Sequence, residues 1–213
     1  MTRNHGLMTI TIFAAVLAAG CAHYVTVECP PVVELRNIEM VGVVKFEVLE
    51  GDPALSDDAT HRFVATVQRA QPGARVLDLG TKREVLARVG ARQLDPAAIQ
   101  AIGKAFGVGA VISGNVTVKS PRPQVSIVRL SRVNASVKVN GSMQAMLRET
   151  GRGATIWTNG ASGTWTLGGV RVTSHTVSGG TSDPVQKHAQ MMSELVQATA
   201  IDFRPTWERR RVE

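Results

Sequence analysis

The feature that most constrains the fold is a long stretch in which apolar and polar residues alternate. It covers residues 126–149, SIVRLSRVNASVKVNGSMQAMLRE. Such alternation is typical of a β-strand with one face in a core and the other in solvent. After the turn TGRG at residues 150–153, the chain alternates again, with Ile156, Trp165 and Leu167 as apolar anchors. The two segments predict a long antiparallel hairpin.

The residues before this hairpin predict an α/β arrangement in the order strand, helix, strand, helix, helix, strand. Apolar segments at residues 38–49, 75–80 and 108–120 are interpreted as the strands. The helix starts predicted from capping residues are Ser56 or Asp57, then Thr81 with Glu84 in a capping box, then Asp95 followed by Pro96. Pro72-Gly73 and Gly107 are expected to end the first and third helices.

The residues after the hairpin predict an edge strand, a loop and a last helix. VRVTSHTV at residues 170–177 is interpreted as the edge strand, and SGGTSDP at residues 178–184 as the loop. Apolar residues then recur at helical spacing up to Phe203, which predicts an amphipathic helix packed on the sheet.

The leader MTRNHGLMTITIFAAVLAAGC predicts export. Arg3 gives it a positive head, and the uncharged run from Leu7 to Ala19 is shorter than the roughly 20 residues of a spanning helix. Its end resembles a bacterial lipobox, in which the thiol of Cys21 is acylated before residues 1–20 are removed. The alternative is a plain signal peptide, with Cys21 incidental or bonded to Cys29. Because Ala22 rather than aspartate follows the cysteine, we expect the outer membrane.

The net charge of +7 raises the question of nucleic acid, which export argues against. The basic residues are scattered, apart from the run Arg209–Arg211 in a basic C-terminal tail, residues 206–213. Anionic lipid headgroups or an acidic cell-wall polymer fit such a charge better. Residues 21–37 are expected to be a short tether. If Cys21 is acylated, Cys29 is left single and is interpreted as a buried thiol, the alternative being a disulfide between molecules.

No pattern in the sequence predicts catalysis, a cofactor or a metal site. The histidines lack ligand spacing, and Asp57-Asp58 is more typical of a helix start than of an acid/base pair. Trp157 and Trp165 are the candidate partner-binding residues, since aromatic rings on a hairpin can form a platform. The alternative is that both belong to the core or to cross-strand pairs.

Two segments resemble the CsgG/LpoB-type bacterial lipoproteins. Residues 99–118, IQAIGKAFGVGAVISGNVTV, are similar to a family helix that leads into a strand, and residues 137–163 to the family hairpin with its Thr-Gly turn and tryptophan. The resemblance implies a three-layer α/β sandwich over residues 38–205 and an outer-membrane lipoprotein that faces the periplasm. Two family features are missing: the extra membrane-spanning hairpins of the curli channel and the long Pro-rich tether of the synthase activators.

Two functions follow as hypotheses. The first is a lipid-anchored accessory protein that acts by protein–protein interaction on an envelope partner, such as a peptidoglycan synthase. The alternative is an oligomeric subunit of an outer-membrane secretion or transport assembly of the curli-channel type, in which further copies of the chain are partners. A third idea is that the basic surface binds anionic cell-wall or lipopolysaccharide groups.

Overall fold

The computed structural model describes residues 23–129, 132–173, 177–181 and 184–212. The strands are β1 (His23–Cys29), β2 (Val41–Val44), β3 (Glu47–Glu50), β4 (Val76–Gly80), β5 (Ala110–Val118), β6 (Arg122–Arg129), β7 (Arg132–Glu149), β8 (Thr155–Thr173), β9 (Val177–Thr181) and β10 (Thr206–Val212). The helices are α1 (Leu55–Ala70), α2 (Lys82–Val89), α3 (Pro96–Phe106), α4 (Pro184–Thr199) and a short 3-10 helix (Ile201–Phe203).

The chain divides into two units. The larger unit is Pro31–Arg204, and the described part of the smaller unit consists of residues 23–30 and 205–212. The larger unit contains a sheet in the order β4-β2-β5-β7-β8-β9, with β3 also beside β5 and β6 also beside β7. Strands β4, β2 and β5 are mutually parallel, whereas β5, β7, β8 and β9 are antiparallel. This mixed sheet, with helices packed against it, confirms the predicted α/β class.

The larger core lies between the sheet and the helices α1 and α4. Three fully buried phenylalanines run through it: the Phe46 and Phe63 ring centroids are 5.2 Å apart, and Phe63 meets Phe203 edge to face at 5.9 Å. Tilted and edge-to-face pairs of this kind add to the stabilisation from burial alone. The core thus holds α1 and the 3-10 helix to one side of the sheet.

A smaller core lies on the opposite side of β4, β2 and β5. Val44 and Val111 project from the sheet into it, and Val85 of α2 and Ile99 and Ile102 of α3 cover them. Helices therefore lie on both sides of this part of the sheet. The architecture is the three-layer sandwich expected from the resemblance.

The ends of α2 and α3 confirm the predictions made from capping residues. Thr81 Oγ1 accepts the Glu84 N–H, and the Glu84 carboxylate accepts the Thr81 N–H at 2.9 Å, which completes a capping box. Asp95 Oδ1 accepts the Ala98 N–H at 2.8 Å, and Pro96 occupies the first turn. Gly107 ends α3 in the left-handed conformation, with φ +67°.

The prediction that Ser56 or Asp57 caps α1 is wrong. The helix begins at Leu55, and Ala54 precedes it without a side-chain cap. Ser56 Oγ instead donates to the Phe46 carbonyl at 2.6 Å, and Asp57 pairs with Lys45 at 2.7 Å. Both side chains therefore fasten the helix to the segment between β2 and β3, a long-range use that local sequence does not reveal.

The long hairpin is confirmed, with two corrections to its surroundings. Residues 126–149 do not form one strand: β6 ends at Arg129 and pairs antiparallel with the first part of β7. Alternation continues through both strands, so the pattern alone cannot show where the chain reverses. The segment SGGT was predicted as a loop, but it lies in β9, where Gly180 pairs with Gly169 of β8.

The smaller unit is a two-stranded antiparallel ribbon of β1 and β10. Its register runs from His23 opposite Val212 to Cys29 opposite Thr206. The sequence predicted only a tether and a basic tail here, because each segment is short and its pairing partner lies at the far end of the chain. The prediction of a buried Cys29 is also wrong: the thiol is half-buried, and Arg210 Nη2 lies 4.0 Å from its sulfur.

Candidate interaction surface

The predicted lipidation site, Cys21, lies outside the described residues. The description begins at His23, the first residue of β1. Acylation of Cys21 therefore stays a prediction from the sequence.

Trp157 belongs to the core of the larger unit. Its side chain is 8% exposed, and its ring meets Phe203 edge to face at 4.7 Å. Its Nε1–H donates to Asp202 Oδ2 at 2.9 Å, and Asn159 Nδ2 donates to the same oxygen at 3.2 Å. This residue fastens β8 to the 3-10 helix. The burial of Trp157 favours the core alternative.

Trp165 is half-buried and joins β8 to α4. Its Nε1–H donates to Glu194 Oε2 at 2.7 Å, and this bond, together with one from Gln190, holds the pKa of Glu194 below its ordinary value. A Cβ at Gly163 would lie 2.5 Å from the Trp165 ring, so only glycine leaves room for the indole there. The ring covers the backbone of the hairpin beneath α4, which favours the packing alternative.

The sides of β5, β7 and β8 opposite α1 and α4 form a polar surface that we call the open face. Its uncharged polar residues are Asn115 and Thr117 on β5, Asn140, Ser142 and Gln144 on β7, and Thr158, Ser162, Thr164 and Thr166 on β8, and Lys138 of β7 lies opposite Thr166 on the same face. All of these residues on β8, together with Asn140 and Gln144, are exposed. Thr164 Oγ1 donates to Asn140 Oδ1 at 2.7 Å across the β7–β8 pair.

The side chains of the open face limit what it can do chemically. Hydroxyl and amide groups both donate and accept hydrogen bonds, and they do not titrate near neutral pH. Threonine also fits an exposed strand well, which keeps the surface regular. The open face is therefore suited to binding by hydrogen bonds rather than to proton transfer.

A shallow cavity of about 200 Å³ lies beside the open face, and its lining includes Asn115 of β5, Lys82 of α2 and Leu94, which precedes α3. Lys82 pairs with Glu47 at 2.8 Å, and the Arg148 guanidinium donates to the Leu94 carbonyl. Lys45 pairs with Asp57, and this partner raises the pKa of Lys45 and lowers that of Asp57. Lys82 and Lys45 thus each have a carboxylate partner, whereas Arg148 is held by a neutral carbonyl.

The remaining candidates for chemistry are occupied in other ways. Asp57 and Asp58 pair separately with Lys45 and Arg62, both at 2.7 Å, which does not fit a cooperating acid/base pair. Within the described residues, no three His, Cys, Asp or Glu side chains cluster so that they could hold a metal ion. In the same part of the chain, no helix has the length and hydropathy needed to cross a membrane.

No protein-family model matches this chain, and no curated protein matches its sequence. Among solved structures, it is similar to the PelC dodecamer from Paraburkholderia phytofirmans, at 15% identity and a TM-score of 0.43, over 85% of this chain and 98% of that one. Lipoprotein GNA1162 from Neisseria meningitidis is similar at 18% identity and 0.34, over 60% and 83% of the two chains. For the LpoB C-terminal domain from Escherichia coli, the values are 12% and 0.33, over 58% and 81%. The similar structures thus include a bacterial lipoprotein.

Sequence reasoning missed the open face as a site, although the signal was present. Ser142 and Gln144 alternate with buried Met143 and Ala145, so a polar face was predictable. The alternation could not show that α2 and α3 leave this face uncovered. Which strands these helices cover is decided by tertiary packing, in which their apolar residues meet β2, β4 and the start of β5.

Proposed function

We propose that this protein is a lipid-anchored accessory protein of the bacterial envelope, held at the periplasmic face of the outer membrane, that acts by binding another protein. The observation that carries the proposal is the sequence LAAGC after a charged head and an apolar run. Strand β1 begins two residues after Cys21, so ordered structure starts directly at the proposed anchor.

Anchoring gives a non-enzymatic protein a mechanism. A tethered domain samples only a thin layer of the periplasm, so its effective concentration toward a partner in that layer is raised. The open face supplies a surface for such a partner, with donors and acceptors spread over three strands. We propose an envelope protein as the partner, and a peptidoglycan synthase as the first one to try.

The anchor is tested by the mass of the protein purified from membranes, compared with a Cys21→Ala variant. We expect the parent protein to match the chain from Cys21 onward plus a diacylglyceryl group and one acyl chain, and the variant to lack both lipids. A parent protein without lipid would overturn the anchor, whether or not the leader is removed.

The partner surface is tested by photo-crosslinking in cells. A crosslinking amino acid replaces Gln144 or Ser162 on the open face, and the matched controls replace Gln68 on α1 or Gln197 on α4, all four being exposed. We expect a discrete adduct from the open-face positions alone. Adducts of equal yield from the helix positions would contradict the assignment of the surface.

The second candidate function is a subunit of an oligomeric assembly. Strands β4 and β9 end the described sheet, and each end strand presents backbone N–H and C=O groups that a further strand can pair with. The native mass of the detergent-solubilised protein separates the two candidates. A monomer favours the accessory protein, and a discrete ring-sized particle favours the assembly.

A further inference from the structure

The β1–β10 ribbon has two unlike faces. Side chains alternate between the faces of a strand, so the register assigns each residue to one of them. We call one of them the basic–aromatic face. It consists of three cross-strand pairs: Tyr24 with Arg211, Thr26 with Arg209, and Glu28 with Trp207. The Arg209 guanidinium lies 5.6 Å from the centre of the Tyr24 ring, which joins the two groups into one patch.

This face is exposed in the ribbon. Trp207 is 64% exposed and Tyr24 52%, and Arg209 and Arg211 are also exposed. A two-stranded ribbon is marginally stable in water by itself, because it buries little apolar surface. Large rings and guanidinium groups on its surface are therefore groups that a neighbouring phase or molecule can cover.

The position of the ribbon in the chain indicates what covers it. His23 is two positions after Cys21, and a fully extended chain of that length spans at most about 7 Å. A lipid on Cys21 would therefore hold the start of β1 at the headgroup layer of the membrane. The antiparallel register places Arg211 opposite Tyr24, at the same end of the ribbon as the anchor.

We infer that the basic–aromatic face binds anionic phospholipid headgroups, with the ribbon lying along the membrane surface. The inference rests on the proposed function for the nearby anchor, and its own support is the chemistry of the face. Tyrosine and tryptophan are enriched at the headgroup level of membranes, where one part of the ring is apolar and another is wet. Arginines near an anionic surface add attraction that salt screens.

The inference is tested with residues 21–213 carrying Cys21→Ser, which keeps every described residue and removes the acylation site. Sedimentation is measured with vesicles of phosphatidylglycerol and phosphatidylcholine in equal parts, and with phosphatidylcholine alone. Each basic residue near the surface is worth roughly fivefold in binding, so Arg209→Gln with Arg211→Gln is expected to weaken it about 25-fold. The matched control is Arg83→Gln with Arg92→Gln, which changes the net charge equally at exposed positions of the larger unit.

Trp207 gives a second measurement. Because Trp157 and Trp165 are engaged in the larger unit, the exposed indole of Trp207 is the one expected to shift its emission to shorter wavelength on anionic vesicles. The variant Trp207→Phe should lose that shift and still sediment. If the protein sediments with anionic vesicles and the emission of Trp207 stays unchanged, the inference that this face lies on the membrane surface is overturned.

Three further results would overturn the inference. One is equal binding to neutral vesicles, and another is equal weakening by the control pair of substitutions. The third is a dimer that forms without vesicles and is lost in the Arg209 and Arg211 double variant, because a second copy would then cover the face. Failure of the proposed anchor is detected separately, by the mass of the parent protein purified from membranes. The vesicle assay does not depend on the anchor, because its protein carries Cys21→Ser and cannot be acylated.

Discussion

The two faces of β7 use neighbouring residues for different tasks. Met143, Ala145 and Leu147 point toward α1 and α4 and are fully buried. Ser142 and Gln144 lie between them in sequence but on the open face. The buried face depends on shape and volume, because packed side chains leave few gaps. The open face depends on hydrogen-bonding capacity, so substitutions there can alter binding while the fold persists.

The largest expected difference between the faces comes from removing a large side chain from each. Phe203→Ala removes a fully buried ring that contacts Phe63 and Trp157. We expect the free energy of unfolding to fall by about 3–5 kcal/mol, from lost burial and the cavity left behind. Gln144→Ala on the open face should change it by less than about 0.5 kcal/mol. Urea denaturation measures both, and equal losses would break the comparison.

A buried polar residue sharpens the comparison, because its hydrogen bonds stabilise the fold rather than bind a partner. Gln71 Oε1 accepts the Leu35 N–H at 2.7 Å, and its Nε2 donates to the carbonyls of Val33 and Phe203. Each buried group left unpaired costs about 1–3 kcal/mol, so Gln71→Ala should lower the free energy of unfolding by at least about 2 kcal/mol.

The matched control for that prediction is Gln68→Ala, an exposed glutamine on α1. It loses the same side-chain atoms without breaking the Leu35, Val33 and Phe203 contacts. Denaturation curves that shift equally for the two variants would show that the buried network adds nothing to stability.

A substitution at the start of α2, in the helix layer opposite α1 and α4, should have a smaller effect on stability. Thr81→Ala removes the hydroxyl that accepts the Glu84 N–H at the start of α2. Loss of an N-cap costs about 1 kcal/mol, and Thr81→Ser, which keeps a hydroxyl, should recover most of it. The same denaturation assay measures both variants. Serine and alanine with the same midpoint would mean that the cap contributes no stability here.

Local signals predicted much of the fold because they act within a few residues. Thr81, Asp95 and Gly107 mark helix ends through their own hydrogen bonds and dihedral angles, so their roles follow from sequence. The role of Ser56 did not follow from sequence, because its hydroxyl donates to the carbonyl of Phe46, ten residues away. The pairing of β1 with β10 is more distant still, and no local pattern contains it.

The candidate site was less predictable than the fold. Trp157 and Trp165 stood out in sequence because tryptophan is rare and often lies at interfaces. Their indole N–H groups instead find Asp202 and Glu194 within the larger unit. The serines, threonines and amides of the open face carry no motif, and they form a surface only once three strands are placed side by side.

The smallest expected effect concerns pH and the link between the hairpin and α4. Hydrogen bonds from Trp165 and Gln190 lower the pKa of Glu194, so they stabilise the folded protein while the carboxylate is ionised. The contribution is fully present above the ordinary glutamate pKa of about 4.3, and it is lost as the pH falls through the lower pKa of the folded state. Glu194→Gln keeps an oxygen that can accept from the indole but cannot titrate. We therefore expect the difference in urea midpoint between the parent protein and this variant to be constant near neutral pH and to shrink in acid. Other carboxylates titrate in both proteins and cancel in the difference, so a difference that stays constant into acid would show that the Trp165 bond does not depend on ionised Glu194.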